Sequence, residues 1–180
     1  MPEIEIRPAA EADLPALLAL DGAYTSESAW QLEVDQNLGV GQVTAQLRQA
    51  RLPRPVSVAY PRSAEQLAVE LGRRDGLLAA LLGGLVIGFA ALDLARSPGL
   101  AWVTDLVVAP QLRRRGIGTG LVLAALEWAA AMECYALVLE LQPKNEPALG
   151  LVQKLGFDFC GYHDLYYGSH GSGIFFRKAV

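Results

Sequence analysis

Thr104-Asp105-Leu106-Val107-Val108-Ala109-Pro110-Gln111-Leu112-Arg113-Arg114-Arg115-Gly116-Ile117-Gly118-Thr119-Gly120 runs without interruption into an apolar stretch that ends at Met132. An apolar strand here feeds a glycine-rich turn, and the turn feeds a helix. The first N–H groups of a helix have no partner within it and lie at the positive end of its dipole, so such a turn is an anion site. Glycine at 116, 118 and 120 keeps side chains out of the way of a phosphate, and Arg113, Arg114 and Arg115 add positive charge. The turn is predicted to hold a diphosphate.

Other glycine loops fit less well. A P-loop needs Gly-Lys-Ser/Thr at its end, but Leu121 and Val122 follow Gly120. A dinucleotide fingerprint needs a third glycine where Leu121 stands, although Glu140 lies at a suitable distance to be its ribose-binding acid. A solvated arginine turn that only connects strand to helix is the bland reading. Three adjacent arginines between two apolar elements weigh against it.

Arg113-Arg114-Arg115-Gly116-Ile117-Gly118 resembles the Gln/Arg-x-x-Gly-x-Gly/Ala signature of the GNAT superfamily of acyl-CoA N-acyltransferases. Asn145-x-x-Ala148 followed by Leu155-Gly156-Phe157 resembles a second segment of that family. The resemblance follows the element order of the whole chain and is specific from Ala101 to Phe157. It implies an α/β (α+β) fold: a central, mixed, mostly antiparallel, twisted sheet of six to seven strands with helices on both faces. Residues 1–180 are expected to form one such domain. It also implies acetyl-CoA as cosubstrate, with no metal. The backbone of Leu106, Val107 and Val108 would bond the pantetheine arm, residues Arg113, Arg114, Arg115, Gly116, Ile117, Gly118 and Thr119 would surround the diphosphate, and Asn145 would contact pantetheine.

Acetyl transfer to an amine needs a base for the ammonium, a site for the oxyanion and an acid for the departing thiolate. Glu140 is a charge inside the apolar strand Ala136–Leu141, where desolvation would raise its pKa toward that of a useful base. It also matches the catalytic glutamate of ribosomal-protein alanine N-acetyltransferases; a strand-end glutamate facing water is the equal alternative. Asp105 is the competing carboxylate. Many family members place the acid, a tyrosine, seven residues after the motif asparagine, and Val152 stands there. Tyr162, Tyr166 or Tyr167 could replace it, Tyr166 being the one assigned, while His163 and His170 are secondary candidates for a base. The acceptor is expected among Tyr24, Trp30, Glu33, Asp35, Asp164 and Tyr167, a set of aromatics and acids that suits a cationic amine.

Composition limits the alternatives. With 180 residues, 52% of them hydrophobic, there is material for one substantial core. The net charge of −4 disfavours broad capture of nucleic acid or an anionic membrane, and no run of apolar residues reaches the length of a membrane span. The protein is expected to be cytoplasmic, and the resemblance implies an enzyme acting on a primary amine of a small molecule or peptide, with a homodimer allowed. A non-catalytic CoA-binding regulatory module is the alternative that Val152 keeps open, and a Rossmann-type protein is the remaining one. Cys134 and Cys160 lack metal-ligand spacing and are expected to be reduced and buried.

Along the chain, Glu3–Arg7 reads as a strand and Glu11–Gly22 as a helix with its stop. Ala23–Pro61 reads as loop and edge structure. Ser63-x-x-Gln66 has capping-box spacing. Leu77–Leu82 and Leu85–Leu94 form a hairpin around Gly83-Gly84, and Ala101–Ala109 adds a third strand. A helix from Gly116 to Met132, with Ile117, Leu121, Ala124, Trp128 and Met132 as its buried stripe, precedes a strand at Ala136–Leu141. Asn145 caps a helix through Leu155 that Gly156 ends, and strands at Phe157–Tyr162 and Ile174–Lys178 finish the chain.

Overall fold

The computed structural model describes residues 3–168 and 171–180. Seven strands form one sheet: β1 (Ile4–Pro8), β4 (Gly76–Leu82), β5 (Leu85–Asp93), β6 (Leu100–Val108), β7 (Ala136–Leu141), β9 (Gly173–Ala179) and β8 (Asp158–His163), in that spatial order. Each neighbouring pair is antiparallel except β6 with β7, which is parallel. The helices are α1 (Leu14–Leu18), α2 (Ala64–Leu71), α3 (Ile117–Ala131) and α4 (Glu146–Lys154). Parallel neighbours need a crossover, and α3 supplies it. An all-parallel dinucleotide fold is thereby excluded.

Alternation along the strands divides the core into two layers. Ala79, Leu81, Phe89, Ala91 and Val107 face Leu17, Leu67 and Leu71 of α1 and α2. Their neighbours Leu78, Ala80, Ala90, Leu92 and Val103 face Leu121, Val122, Ala125 and Ala129 of α3 and Leu149 and Val152 of α4. Period-two strands thus bury both faces, which places helices on both sides of the sheet. The buried stripe of α3 differs from expectation in part. Ile117 and Leu121 are buried, but Val122, Ala125 and Ala129 complete the stripe, and Met132 is exposed at the helix end.

Local signals are realised at several points. Ser63 Oγ accepts from the Gln66 N–H and Gln66 Oε1 accepts from the Ser63 N–H, closing the capping box of α2. Gly83 and Gly84 turn with φ of 58° and 81°, the conformation that a two-residue hairpin needs.

The segment Ala23–Pro61 corrects the sequence reading. It forms a long antiparallel ribbon, β2 (Tyr24–Asn37) with β3 (Gln42–Val58), which pairs only with itself. After the first residues of β2 neither face of the ribbon is buried, so no apolar alternation marks it. Pro53 and Pro55 are accommodated because a two-stranded ribbon has only edge strands. The cysteines are also more open than expected: Cys134 is partly buried and Cys160 exposed.

Candidate active site

A β-bulge shapes the site. Ala91 of β5 pairs with Asp105 and Leu92 with Val103, so Thr104 is an extra residue on β6. Bulges bend the strand that carries them. Pairing of β6 with β7 ends at the adjoining point, Val103 opposite Leu139. Beyond it the strands part, and the β7-facing backbone of Thr104–Val108 is left without a strand partner.

Along that open edge lies a cavity of about 400 Å³, walled by Leu106, Val107 and Val108 of β6, by Arg114, Gly116, Ile117, Gly118 and Thr119 at the start of α3, and by Asn145, Ala148 and Leu151 of the α4 region. Gly116 occupies the helix N-cap with φ of 88°, where a side chain would strain the backbone. Gly120 is the first residue to donate back along α3, to the Gly116 carbonyl at 2.9 Å. The N–H groups of Ile117, Gly118 and Thr119 therefore precede the helical ladder and stand at the positive end of its dipole.

The three arginines separate. Arg114, itself at φ of 63°, lines the cavity, whereas Arg115 is exposed and outside the lining. Arg113 borders the cavity but turns its guanidinium to protein carbonyls: Val108 at 2.8 Å, Ala23 at 2.6 Å and Asp21 at 2.8 Å. Of the three arginines expected beside the diphosphate, Arg113 and Arg114 border the cavity, and the Arg113 guanidinium is used internally. Asn145 Oδ1 accepts from the Ala148 N–H at 3.1 Å and so caps α4, while the residue lines the cavity.

A second, smaller cavity of about 50 Å³ adjoins the first, sharing Tyr24, Leu106, Asn145 and Ala148 with it. Tyr60, Arg62, Thr104, Glu140, Gln142 and Tyr167 complete its wall. Beneath lies an ionic network. Glu140 has a fully buried side chain; Arg62 donates to its Oε1 at 2.7 Å, and Arg96 and Tyr166 each donate to Oε2 at 2.5 Å. Burial pushes the Glu140 carboxyl up from its ordinary range, against the pull of Arg96 and Arg62. The solvent-facing alternative for Glu140 is thereby excluded.

Asp105 is as deeply buried and accepts from Tyr60, from Arg62 at 3.0 Å and from Thr104 at 2.9 Å. It does not line either cavity. Arg62 thus joins Asp105 of β6 to Glu140 of β7 across the gap between the strands. Arg62, Arg96 and Tyr60 were not found from sequence. The signal was present only in part: a lone carboxylate in each of two apolar strands demands buried counter-charges.

Tyr24 and Tyr167 reach the junction and the small cavity. The Tyr24 hydroxyl donates to Gln142 Oε1 at 2.8 Å, and burial raises its pKa above the ordinary tyrosine value. Tyr167 is likewise raised, chiefly by burial, and its hydroxyl makes no hydrogen bond among the described residues. Tyr166, by contrast, spends its hydroxyl on Glu140.

Other acceptor candidates lie elsewhere. Glu33 is exposed on the ribbon and pairs with Arg48 at 2.6 Å, and Asp35 is exposed further along it, because the ribbon carries both away from the cavities. Trp30 packs against the core, with its N–H on the Pro143 carbonyl at 2.8 Å. Asp164 is exposed and accepts from Ser172 at 3.0 Å. His163 is exposed at the end of β8, and His170 lies outside the described residues. Val152 is fully buried, so the position where many family members carry the acid belongs here to the core.

Residues 43–157 match the acetyltransferase (GNAT) family, and the chain belongs to it. It is an acetyl-CoA-dependent N-acetyltransferase, which sets aside the non-catalytic reading. Streptothricin acetyltransferase of Streptomyces lavendulae is 29% identical over 175 residues, covering 94% of this chain and 89% of that protein. Among solved structures, nourseothricin acetyltransferase superposes with a TM-score of 0.80 at 23% identity, covering 98% of both chains. A putative streptothricin acetyltransferase from Bacillus anthracis, solved in complex with acetyl coenzyme A, superposes at 0.79 with 21% identity, covering 99% of this chain and 100% of that one.

Proposed function

We propose that this enzyme transfers the acetyl group of acetyl-CoA to a primary amine of a cationic small molecule of the streptothricin class, inside the cell, with residues 1–180 acting as one catalytic domain. The observation that carries this reading is the meeting of the two cavities at Tyr24, Leu106, Asn145 and Ala148. The larger one suits a long ligand that ends in phosphates, and the smaller one suits the amine that attacks its far end.

The diphosphate of acetyl-CoA lies on the N–H groups of Ile117, Gly118 and Thr119, with Arg114 beside them. The pantetheine amides bond the edge of Leu106–Val108 that has no neighbouring strand, as a strand would. The thioester then reaches the junction. The amine arrives as an ammonium, drawn by the Glu140 carboxylate and by the faces of Tyr24 and Tyr167.

Glu140 has accepted three hydrogen bonds, one short of the roughly four that a carboxylate can take, so one position remains for the ammonium proton. The free amine attacks the thioester carbonyl, forming the C–N bond, and collapse of the tetrahedral adduct breaks C–S. Tyr167, protonated and with no hydroxyl partner among the described residues, donates its proton to the leaving sulfur and recovers one from the attacking nitrogen, while the proton taken by Glu140 passes to solvent. The relatives named for streptothricin support the acceptor class.

The test is a thiol-release assay with streptothricin, spermidine and an alanine-terminated peptide, with products identified by mass. Streptothricin should be turned over with kcat/KM at least about 100-fold above the peptide. A preference for the peptide would overturn the acceptor class.

A further inference from the structure

Arg113 belongs to the turn at the start of α3 and borders the larger cavity, yet its guanidinium is used within the protein. Its Nε donates to the carbonyl of Val108, at the end of the β6 wall, at 2.8 Å. Its two terminal nitrogens donate to the carbonyls of Ala23 at 2.6 Å and Asp21 at 2.8 Å. Ala23 precedes Tyr24, which lines both cavities and is fixed by its own bond to Gln142. The planar guanidinium has a fixed fork of donors, so it satisfies all three carbonyls only while the segment 21–24 lies against the end of β6.

We propose that Arg113 is a positioning residue that couples the acetyl-CoA site to the acceptor site. Acetyl-CoA seated on β6 and the turn fixes Val108 and Arg113, Arg113 fixes Asp21 and Ala23, and these place Tyr24 in the wall of the acceptor cavity. The proposal rests on the reading of the small cavity as the acceptor site. Coupling is reciprocal, so a bound acceptor tightens acetyl-CoA by the factor by which acetyl-CoA tightens the acceptor.

Arg113→Met and Arg113→Lys test it through three measurements: the Kd of acetyl-CoA by calorimetry, the KM of streptothricin by thiol release, and amide hydrogen exchange of residues 23–28 with and without CoA. In both variants KM should rise about tenfold or more while the Kd changes less than about threefold. The protection that CoA confers on residues 23–28 of the unaltered protein should be lost. A Kd that rises more than KM would overturn the proposal in favour of a phosphate contact, and so would restoration by lysine, which keeps the charge without the fork. If streptothricin is not a substrate, the acceptor class fails, and the exchange measurement still decides the coupling. If the methionine variant does not fold, the same three measurements on the lysine variant decide it.

Discussion

The Tyr166 hydroxyl donates to Glu140 Oε2 at 2.5 Å, on the same oxygen that Arg96 reaches at 2.5 Å. A buried carboxylate held by two guanidinium groups and a phenol is a structural element whatever chemistry it also performs. Removing its charge leaves Arg62 and Arg96 facing a neutral group. Glu140→Gln should therefore lose on the order of 3 kcal/mol of stability, against about 1 kcal/mol for Tyr166→Phe, as read from urea midpoints. Equal losses would mean that the ion pairs contribute no more than the phenol.

Tyr167→Phe should lower kcat about 10- to 100-fold and leave the Kd of acetyl-CoA unchanged, since the phenol lines only the smaller cavity. Single-turnover kinetics measure it. An unchanged rate of chemistry would remove Tyr167 from proton or hydrogen-bond donation to the sulfur.

Gly116 and Gly118 should respond differently. A Cβ at Gly118 meets nothing nearer than 3.7 Å, and the residue is not at positive φ, so Gly118→Leu should cost little stability while weakening acetyl-CoA at least about tenfold. Gly116 sits at φ of 88°, so Gly116→Ala should cost about 1–2 kcal/mol through the backbone alone. Thermal melts paired with calorimetry separate the two.

Installing the tyrosine that many relatives use as the acid should fail. Val152 is fully buried among α3, α4 and the sheet, so Val152→Tyr should destabilise by about 1–3 kcal/mol or more and raise no rate. A faster variant of unchanged stability would show that the position opens to the thioester.

Glu146 ties the ribbon to α4. Its carboxylate accepts from the N–H groups of Glu27 at 2.9 Å and Ser28 at 3.1 Å, and these bonds hold its pKa below the ordinary 4.5. A depressed carboxylate stabilises the fold above its unfolded pKa, and that stabilisation is lost as pH falls through the folded value. Protection factors at Glu27 and Ser28, which remove the intrinsic pH dependence of amide exchange, should therefore fall below pH 4.5, and Glu146→Gln should show the low protection already at neutral pH. Protection independent of both pH and the substitution would remove the tie.

The strand, turn and helices that wall the larger cavity were legible because their signals are local. Gly116 is read from the backbone that only glycine adopts easily, and Asn145 from the cap that its own side chain makes. The β2–β3 ribbon was not, because a strand exposed on both faces carries no alternating pattern. Arg62 and Arg96 were missed for another reason: they meet Glu140 from 78 and 44 residues away, and a charge in a loop gives no sign of which buried partner it will find. The three carbonyls that Arg113 binds were not legible either, since spacing cannot tell which groups a guanidinium will meet.

The ribbon makes no ladder with the seven-stranded sheet, so its length and outer sequence can change without disturbing a single strand pair of the catalytic body. It is tied to that body at Tyr24, Ser28 and Trp30 on one strand, by the packing of Leu47 on the other, and through Tyr60 and Arg62 after it. The outer part of the ribbon can therefore lengthen or shorten by whole residue pairs while the walls of both cavities stay as they are.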